Sequence, residues 1–216
     1  IKLLLFEPNM VLGRSNKFFI SYCQKIFCYS NNVKKFPPKF KNKIKVIPAL
    51  LRKNFYDKRD SNDTLDTINL LIIGGSQGAK IFDDLVKNAI IELSKKYKLK
   101  IYQQTSSINF ESFKKTYENN NINCELFNFN DDVINFMHKT DLCITRAGAS
   151  TLAELVFLNI PHVVIPFPSA KDNHQFENAS MYQKIGCNWT LDQNEINSSK
   201  LKDNLTNIIE NKEQYL

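Results

Sequence analysis

The rhythm of the stretch after Thr67 restricts the fold more than any other feature of the chain. Short apolar runs at Ile68 to Ile73, Leu99 to Gln104, Asn123 to Phe127, Leu142 to Thr145 and His162 to Ile165 read as strands. Between and after them, Ala79 to Tyr97, Phe110 to Asn119, Val133 to Lys139, Thr151 to Leu158 and Asn173 to Lys184 carry helical patterns. Strands separated by helices at this spacing join through right-handed βαβ crossovers, so the predicted class is α/β with a doubly wound parallel sheet.

Two polar stretches, Asn31 to Lys45 and Tyr56 to Thr67, interrupt the apolar pattern. The second, with Asp-Lys-Arg-Asp-Ser-Asn-Asp-Thr at its centre, reads as an interdomain linker. The expected organisation is therefore residues 1–56 as the end of a preceding domain, 57–66 as linker, 67–200 as the ligand-binding domain, and 201–216 as a helix cut short. Ile1 to Phe6 already reads as a strand with no polar lead-in, so the chain is expected to be a fragment.

Its 216 residues and 43% apolar content suffice for a packed core. The five cysteines form no C-x-x-C pair and several lie in apolar runs, which suits free thiols in a reducing cytosol. No run approaches the roughly 18 apolar residues that a spanning helix needs, so membrane contact is expected to be peripheral. The net charge of +7 comes from lysines scattered among asparagine and isoleucine, a bias of the whole chain rather than a nucleic-acid patch. One denser run, Lys34 to Lys45, interleaves cations with Phe36 and Phe40. It reads either as a solvated loop or as a surface for phosphate and lipid headgroups.

In an open α/β sheet, ligands bind beyond the carboxyl ends of the strands, which directs attention to three turns. The first is Gly74-Gly75-Ser76-Gln77-Gly78-Ala79. Its glycines allow close backbone approach, and Ser76 adds a hydroxyl beside helix N–H groups, as a diphosphate cradle requires; a simple turn would use the same glycines. A nicotinamide-binding unit would place an acid about 20 residues on, where this chain has Gln103-Gln104-Thr105, and no phosphate-loop motif G-x-x-x-x-G-K-[ST] occurs. The second turn, Arg146 to Glu154, opens a helix with small residues and carries a carboxylate. Glu154 could accept both hydroxyls of a ribose diol, or simply face solvent near a helix N-terminus. The third, Pro166 to Gln175, offers Asp172 or Asn173 as a helix cap and sets His174 and Gln175 toward the crevice, although a loop histidine is also common on plain surface.

Taken together, Gly74 to Ala79, Arg146 to Glu154 and Pro166-Phe167 through Asp172-Asn173-His174-Gln175-Phe176-Glu177-Asn178-Ala179 resemble the donor domain of the glycosyltransferase B superfamily. The resemblance is greatest to its N-acetylglucosaminyltransferases of peptidoglycan synthesis. Upstream, Phe6-Glu7-Pro8-Asn9 resembles the family's H-E-Q-N, Gly13 to Lys17 its G-x-x-N-K, and Arg52 stands where members carry the arginine of N-P-V-R.

The resemblance implies a GT-B arrangement, a donor domain plus part of a second Rossmann-like domain. It also implies inverting transfer of N-acetylglucosamine from UDP-N-acetylglucosamine to a lipid-pyrophosphate-linked muramyl pentapeptide, at the cytoplasmic face of a bacterial membrane. Ser76 and Arg52 would meet the diphosphate, Glu154 the ribose, Gln175 and Asn9 the sugar, and Phe129 with Asn130 the uracil. Ala149, Ser150, Thr151, Leu152 and Ala153 would line the same site, with His174 beside it. No D-x-D pair occurs, which fits a site without metal, and no cofactor is implied. The family's general base lies upstream of the matched segment, so the chain is expected to bind donor but turn over little. Two other readings stay open, a binding subunit of a split transferase and a sugar-nucleotide epimerase, for which Glu7 alone would supply acid chemistry.

Overall fold

The computed structural model describes residues 2–56, 66–74, 82–128 and 133–211. The glycine turn from residue 75 with Ser76, the Phe129–Asn130 pair, most of the linker and the last five residues lie outside them.

Two parallel sheets form. The first orders β1 (Leu4–Glu7), β2 (Lys25–Cys28) and β3 (Ile44–Val46) side by side, with the short helix α1 (Arg14–Phe19) between β1 and β2. Six strands make the second: β4 (Thr67–Ile73), β5 (Lys98–Gln104), β6 (Asn123–Phe127), β7 (Leu142–Thr145), β8 (His162–Val164) and β9 (Trp189–Thr190). Their order across the sheet is β6-β5-β4-β7-β8-β9, all parallel. The chain thus runs outward from β4 to β6, then returns to place β7 on the other flank of β4.

Alternation along β4 explains the layering. Leu70 and Ile72 point into one apolar cluster, and Leu71 and Ile73 into another, because successive strand side chains face opposite sides. Being covered on both faces, β4 needs an unbroken apolar run rather than a half-polar one. The first face is closed by α2 (Lys87–Ser94), α3 (Phe110–Asn119) and α7 (Ser198–Glu210), through Ile90, Leu93, Phe113, Tyr117, Leu201 and Leu205. On the second lie α4 (Val133–His138), through Ile134 and Met137, and Leu155 of α5 (Ala149–Phe157). Phe55, 1% exposed, inserts into the same cluster from the segment after β3 and anchors that segment to the larger sheet. A further cluster joins α5 to α6 (His174–Lys184) through Leu152, Ala179 and Tyr182.

The predicted α3, β6 and β7 match residue for residue, and the predicted parallel α/β class is the one observed. Of the predicted helix over Ala79 to Tyr97, the described residues form a π-helical turn, Phe82–Val86, followed by α2, which ends at Ser94. Only part of the lysine run is a free basic face, with Lys39, Lys41 and Lys45 exposed. Lys34 pairs with Glu177 and Lys35 with Asp172, each at 2.6 Å, and Phe36 is buried. Lys43 donates to the carbonyls of Ile20, Ser21 and Cys23 at 2.6–3.0 Å, closing the chain after α1. Half of this run is therefore internal stitching between segments.

Candidate functional site

The reversal of strand order between β4 and β7 leaves a crevice beyond their carboxyl ends, the place where a doubly wound sheet accepts ligands. Ile73 stands opposite Thr145, and the Arg146 amide donates to the Ile73 carbonyl at 3.3 Å. Gly74 and Arg146 therefore leave the sheet side by side, so the glycine turn and the turn before α5 start from the same rim. Ser76 itself lies outside the described residues.

Arg146 holds three turns together. It is 6% exposed, and Nη1 donates to the Ile165 carbonyl at 2.8 Å and to Gln193 Oε1 at 2.7 Å, while the guanidinium lies 5.4 Å from the centre of the Phe167 ring. Burial pulls its pKa down to about 10, still far above neutrality. The side chain is thus a charged rivet of the site walls. The neighbouring α5 has Gly148 at its N-cap and so no side-chain cap. Its first amides, at Ala149, Ser150 and Thr151, keep the partial positive charge of a helix N-terminus directed at the crevice. Of the predicted lining residues, Ser150 is exposed and Ala149 and Thr151 are half-buried. Leu152 and Ala153 are buried, and the Leu152 side chain packs against Ala147, Val164, Ala179 and Tyr182. Only main-chain atoms of Leu152 remain for a ligand, because its side chain belongs to the core.

Glu154, one turn further along α5, is 9% exposed and faces Arg52 across 3.6 Å. Burial raises its pKa, and the guanidinium of Arg52 partly offsets that. Arg52 also lies over the Phe55 ring, so the connector after β3 brings a cation to the crevice mouth. By contrast Gln103, at the end of β5, is turned away and accepts from the Tyr117 hydroxyl at 2.6 Å.

In the third turn, Asp172 and Asn173 both have left-handed backbones, with φ of 59° and 58°, a conformation these short polar side chains tolerate. The predicted cap does not form. Asn173 occupies the N-cap position without a capping bond, since its left-handed backbone is not the extended one that aims a capping side chain. Asp172 is drawn instead to Lys35 at 2.6 Å and Arg14 at 3.8 Å. Gln175 Oε1 accepts from the Phe167 amide at 2.9 Å, and His174 Nδ1 lies 2.7 Å from the Lys171 carbonyl. Asn9, Gly13, Arg14, Lys171 and His174 border a cavity of about 240 Å³ between the two sheets' ends.

Asn9 and Glu7 are knitted together there. Glu7, 2% exposed, accepts from the Asn9 amide, Asn9 Nδ2, Gly13 N and Asn16 Nδ2 at 2.7–3.2 Å. Sequence reasoning gave Glu7 no structural part and passed over Arg146 and Asn178; the only hint was that each sits inside one of the quoted motifs.

A family model described as the glycosyltransferase family 28 C-terminal domain matches residues 69–216, more than half of the chain. The chain belongs to glycosyltransferase family 28. Within reach of this family, it is 80% identical over its full length to the UDP-N-acetylglucosamine--N-acetylmuramyl-(pentapeptide) pyrophosphoryl-undecaprenol N-acetylglucosamine transferase of Pelagibacter ubique (strain HTCC1062). It spans 61% of that relative's length. The crystal structure of Acinetobacter baumannii MurG superposes with a TM-score of 0.77 at 26% identity, over 96% of this chain and 58% of that one. A UDP-GlcNAc 2-epimerase from Neisseria meningitidis, solved bound to UDP-GlcNAc, gives 0.59 at 13% identity, over 92% and 56%, a likeness of fold.

Proposed function

We propose that this chain binds UDP-N-acetylglucosamine at the β4–β7 rim and serves an inverting transfer of N-acetylglucosamine onto a lipid-pyrophosphate-linked muramyl pentapeptide, converting lipid I to lipid II. The observation that carries the reading is the convergence of Gly74, the uncapped N-terminus of α5 and Glu154 on one rim, with Arg52 opposite. When the anomeric bond breaks, negative charge grows on the leaving diphosphate. The α5 dipole and the Arg52 guanidinium are suited to stabilise that charge in place. Glu154 takes the ribose hydroxyls, Gln175 and Asn9 the sugar, Ser76 the diphosphate, and Phe129 with Asn130 the uracil.

Calorimetry should give saturable one-to-one binding of UDP-N-acetylglucosamine, with UDP competing and GDP not. Absence of binding by either uridine ligand would remove the assignment. Product analysis with and without lipid acceptor then distinguishes transfer from epimerisation at C2 and from binding alone. The relative of 80% identity carries a transferase name, which favours transfer over the epimerase reading.

The lipid-linked acceptor calls for residence at the cytoplasmic membrane face. Among the described residues no helix is long and apolar enough to cross a membrane, so contact would be peripheral. Phe18 and Tyr22 are 70% and 73% exposed, and Phe19 stacks edge-on against Phe18 beside Lys17 and Arg14. Aromatic rings with nearby cations suit an anionic interface. The vesicle affinity read by sedimentation with phosphatidylglycerol vesicles should fall about tenfold for Phe18→Ser alone, the loss of roughly one buried aromatic's transfer energy. Unchanged sedimentation would place the membrane surface elsewhere.

A further inference from the structure

Asn178 lies on α6 and is 1% exposed, with an amide shared among three partners. Its Oδ1 accepts from the Met10 amide at 2.8 Å, while Nδ2 donates to Asn9 Oδ1 and to the Ala147 carbonyl, each at 3.0 Å. Those contacts join the loop after β1, 168 and 169 residues away in sequence, to the turn that opens α5. Asn9 is gripped from the other side too, since its Nδ2 donates to the buried Glu7 carboxylate at 3.0 Å. Its amide therefore has a fixed polarity: oxygen toward a donor, nitrogen toward an anion.

We propose that Asn178 is a positioning residue for sugar recognition, orienting the Asn9 amide and pinning its loop to the Arg146–Gly148 turn. The inference rests on the reading above, in which Asn9 meets the sugar. Cohesion alone does not explain Asn178. The same seam is already closed by Lys34 with Glu177 and Lys35 with Asp172. A buried amide network also costs more desolvation than an apolar contact of equal size, and what it adds is a unique orientation. Since Arg146 separately fixes the α5 turn to β4, Ile165 and Gln193, loss of the Asn178 donor leaves the nucleotide wall standing.

Asn178→Asp is nearly isosteric and isolates this role. The carboxylate still accepts from the Met10 amide, but the atom that donated to Asn9 becomes an anionic acceptor facing Oδ1 and the Ala147 carbonyl. Should the Asn9 amide flip to relieve this, its oxygen would meet Glu7, so neither orientation satisfies both ends. Calorimetry on wild type, Asn178→Asp, Asn9→Ala and the double variant, each with UDP and UDP-N-acetylglucosamine, reads the effect. We expect about a tenfold weaker Kd for the sugar nucleotide and about a twofold change or less for UDP, with the double variant no worse than Asn9→Ala. Equal weakening toward both ligands, or losses that add in the double variant, overturns the positioning role. If wild type binds neither ligand, the donor-site reading itself fails, a different result. Where the aspartate variant does not fold, Asn178→Ala removes the donor without adding charge and carries the same expectation.

Discussion

Glu154→Ala is expected to weaken UDP-N-acetylglucosamine by about 2–3 kcal/mol, roughly two orders of magnitude in Kd, because two ribose hydroxyls lose a charged acceptor. The carboxylate that would accept them is 9% exposed and 3.6 Å from Arg52. In the ligand-free crevice these two groups answer each other. Arg52's side chain is 45% exposed, so their pairing is worth at most about 1 kcal/mol, and exchanging it for ligand contacts costs little. The two variants should also differ in kind. Glu154→Ala should weaken uridine, UMP and UDP alike, since all carry the diol, whereas Arg52→Ala should spare uridine and weaken UDP. An acidic shift adds a second signature. Burial raises the Glu154 pKa, so the carboxylate is neutralised earlier than an ordinary one as pH falls, and wild-type affinity should drop there. Calorimetry of the four ligands against both variants is sufficient. Undiminished uridine affinity in Glu154→Ala would take that residue out of the site.

What could be read from the chain without coordinates was the part written in local chemistry. The five strands over Ile68 to Ile165 are apolar runs bounded by glycine, proline and small polar residues, and such punctuation survives folding. The crevice was legible for the same reason, since each motif follows its own strand. β2, with the sequence Lys25-Ile26-Phe27-Cys28, escaped notice because no glycine or proline sets it off from the aromatic run between Phe18 and Tyr29, and β9 because two residues carry no periodic signal. Other features depended on partners distant in sequence. Asn173 looked like a cap, but a left-handed backbone and the arrival of Lys35 beside Asp172 decided otherwise. Asn178 looked like the polar end of a motif, and only the fold brings Asn9 and Ala147 to it. Leu152 was grouped with the ligand-lining residues by its place in a motif, yet a helix can turn only some of its side chains to one side, and this one faces the core.

Stability should fall by about 3 kcal/mol between pH 6.5 and pH 4 through a single buried imidazole, His162. The ring is fully enclosed at the start of β8, with Nδ1 2.7 Å from the Ile160 carbonyl and no hydrogen-bond partner at Nε2 among the described residues. A proton on Nε2 would therefore be a buried charge with no acceptor, and burial pushes the pKa down to about 4, only partly offset by the Ile160 bond. The folded state thus holds the neutral ring while the unfolded chain takes up a proton below its ordinary value of 6.5. The contribution is fully present above pH 6.5 and is lost on the way down to about 4. Asp172, half-buried, and Glu210, exposed, are both held low by lysine partners and lose their stabilisation only below the ordinary carboxylate range. Glu154 has the opposite sign, its raised pKa making the fold relatively more stable as pH falls. The His162 term is isolated by comparing thermal unfolding of wild type and His162→Leu at pH 7.5 and pH 4.5. Wild type should lose about 5–10 °C more than the variant across that interval, at roughly 2–4 °C per kcal/mol for a chain of this size. Because His162 starts β8 at the end remote from the Pro166 turn, this term belongs to the fold and not to ligand binding. Parallel acid losses in both proteins would show that the imidazole is solvated after all.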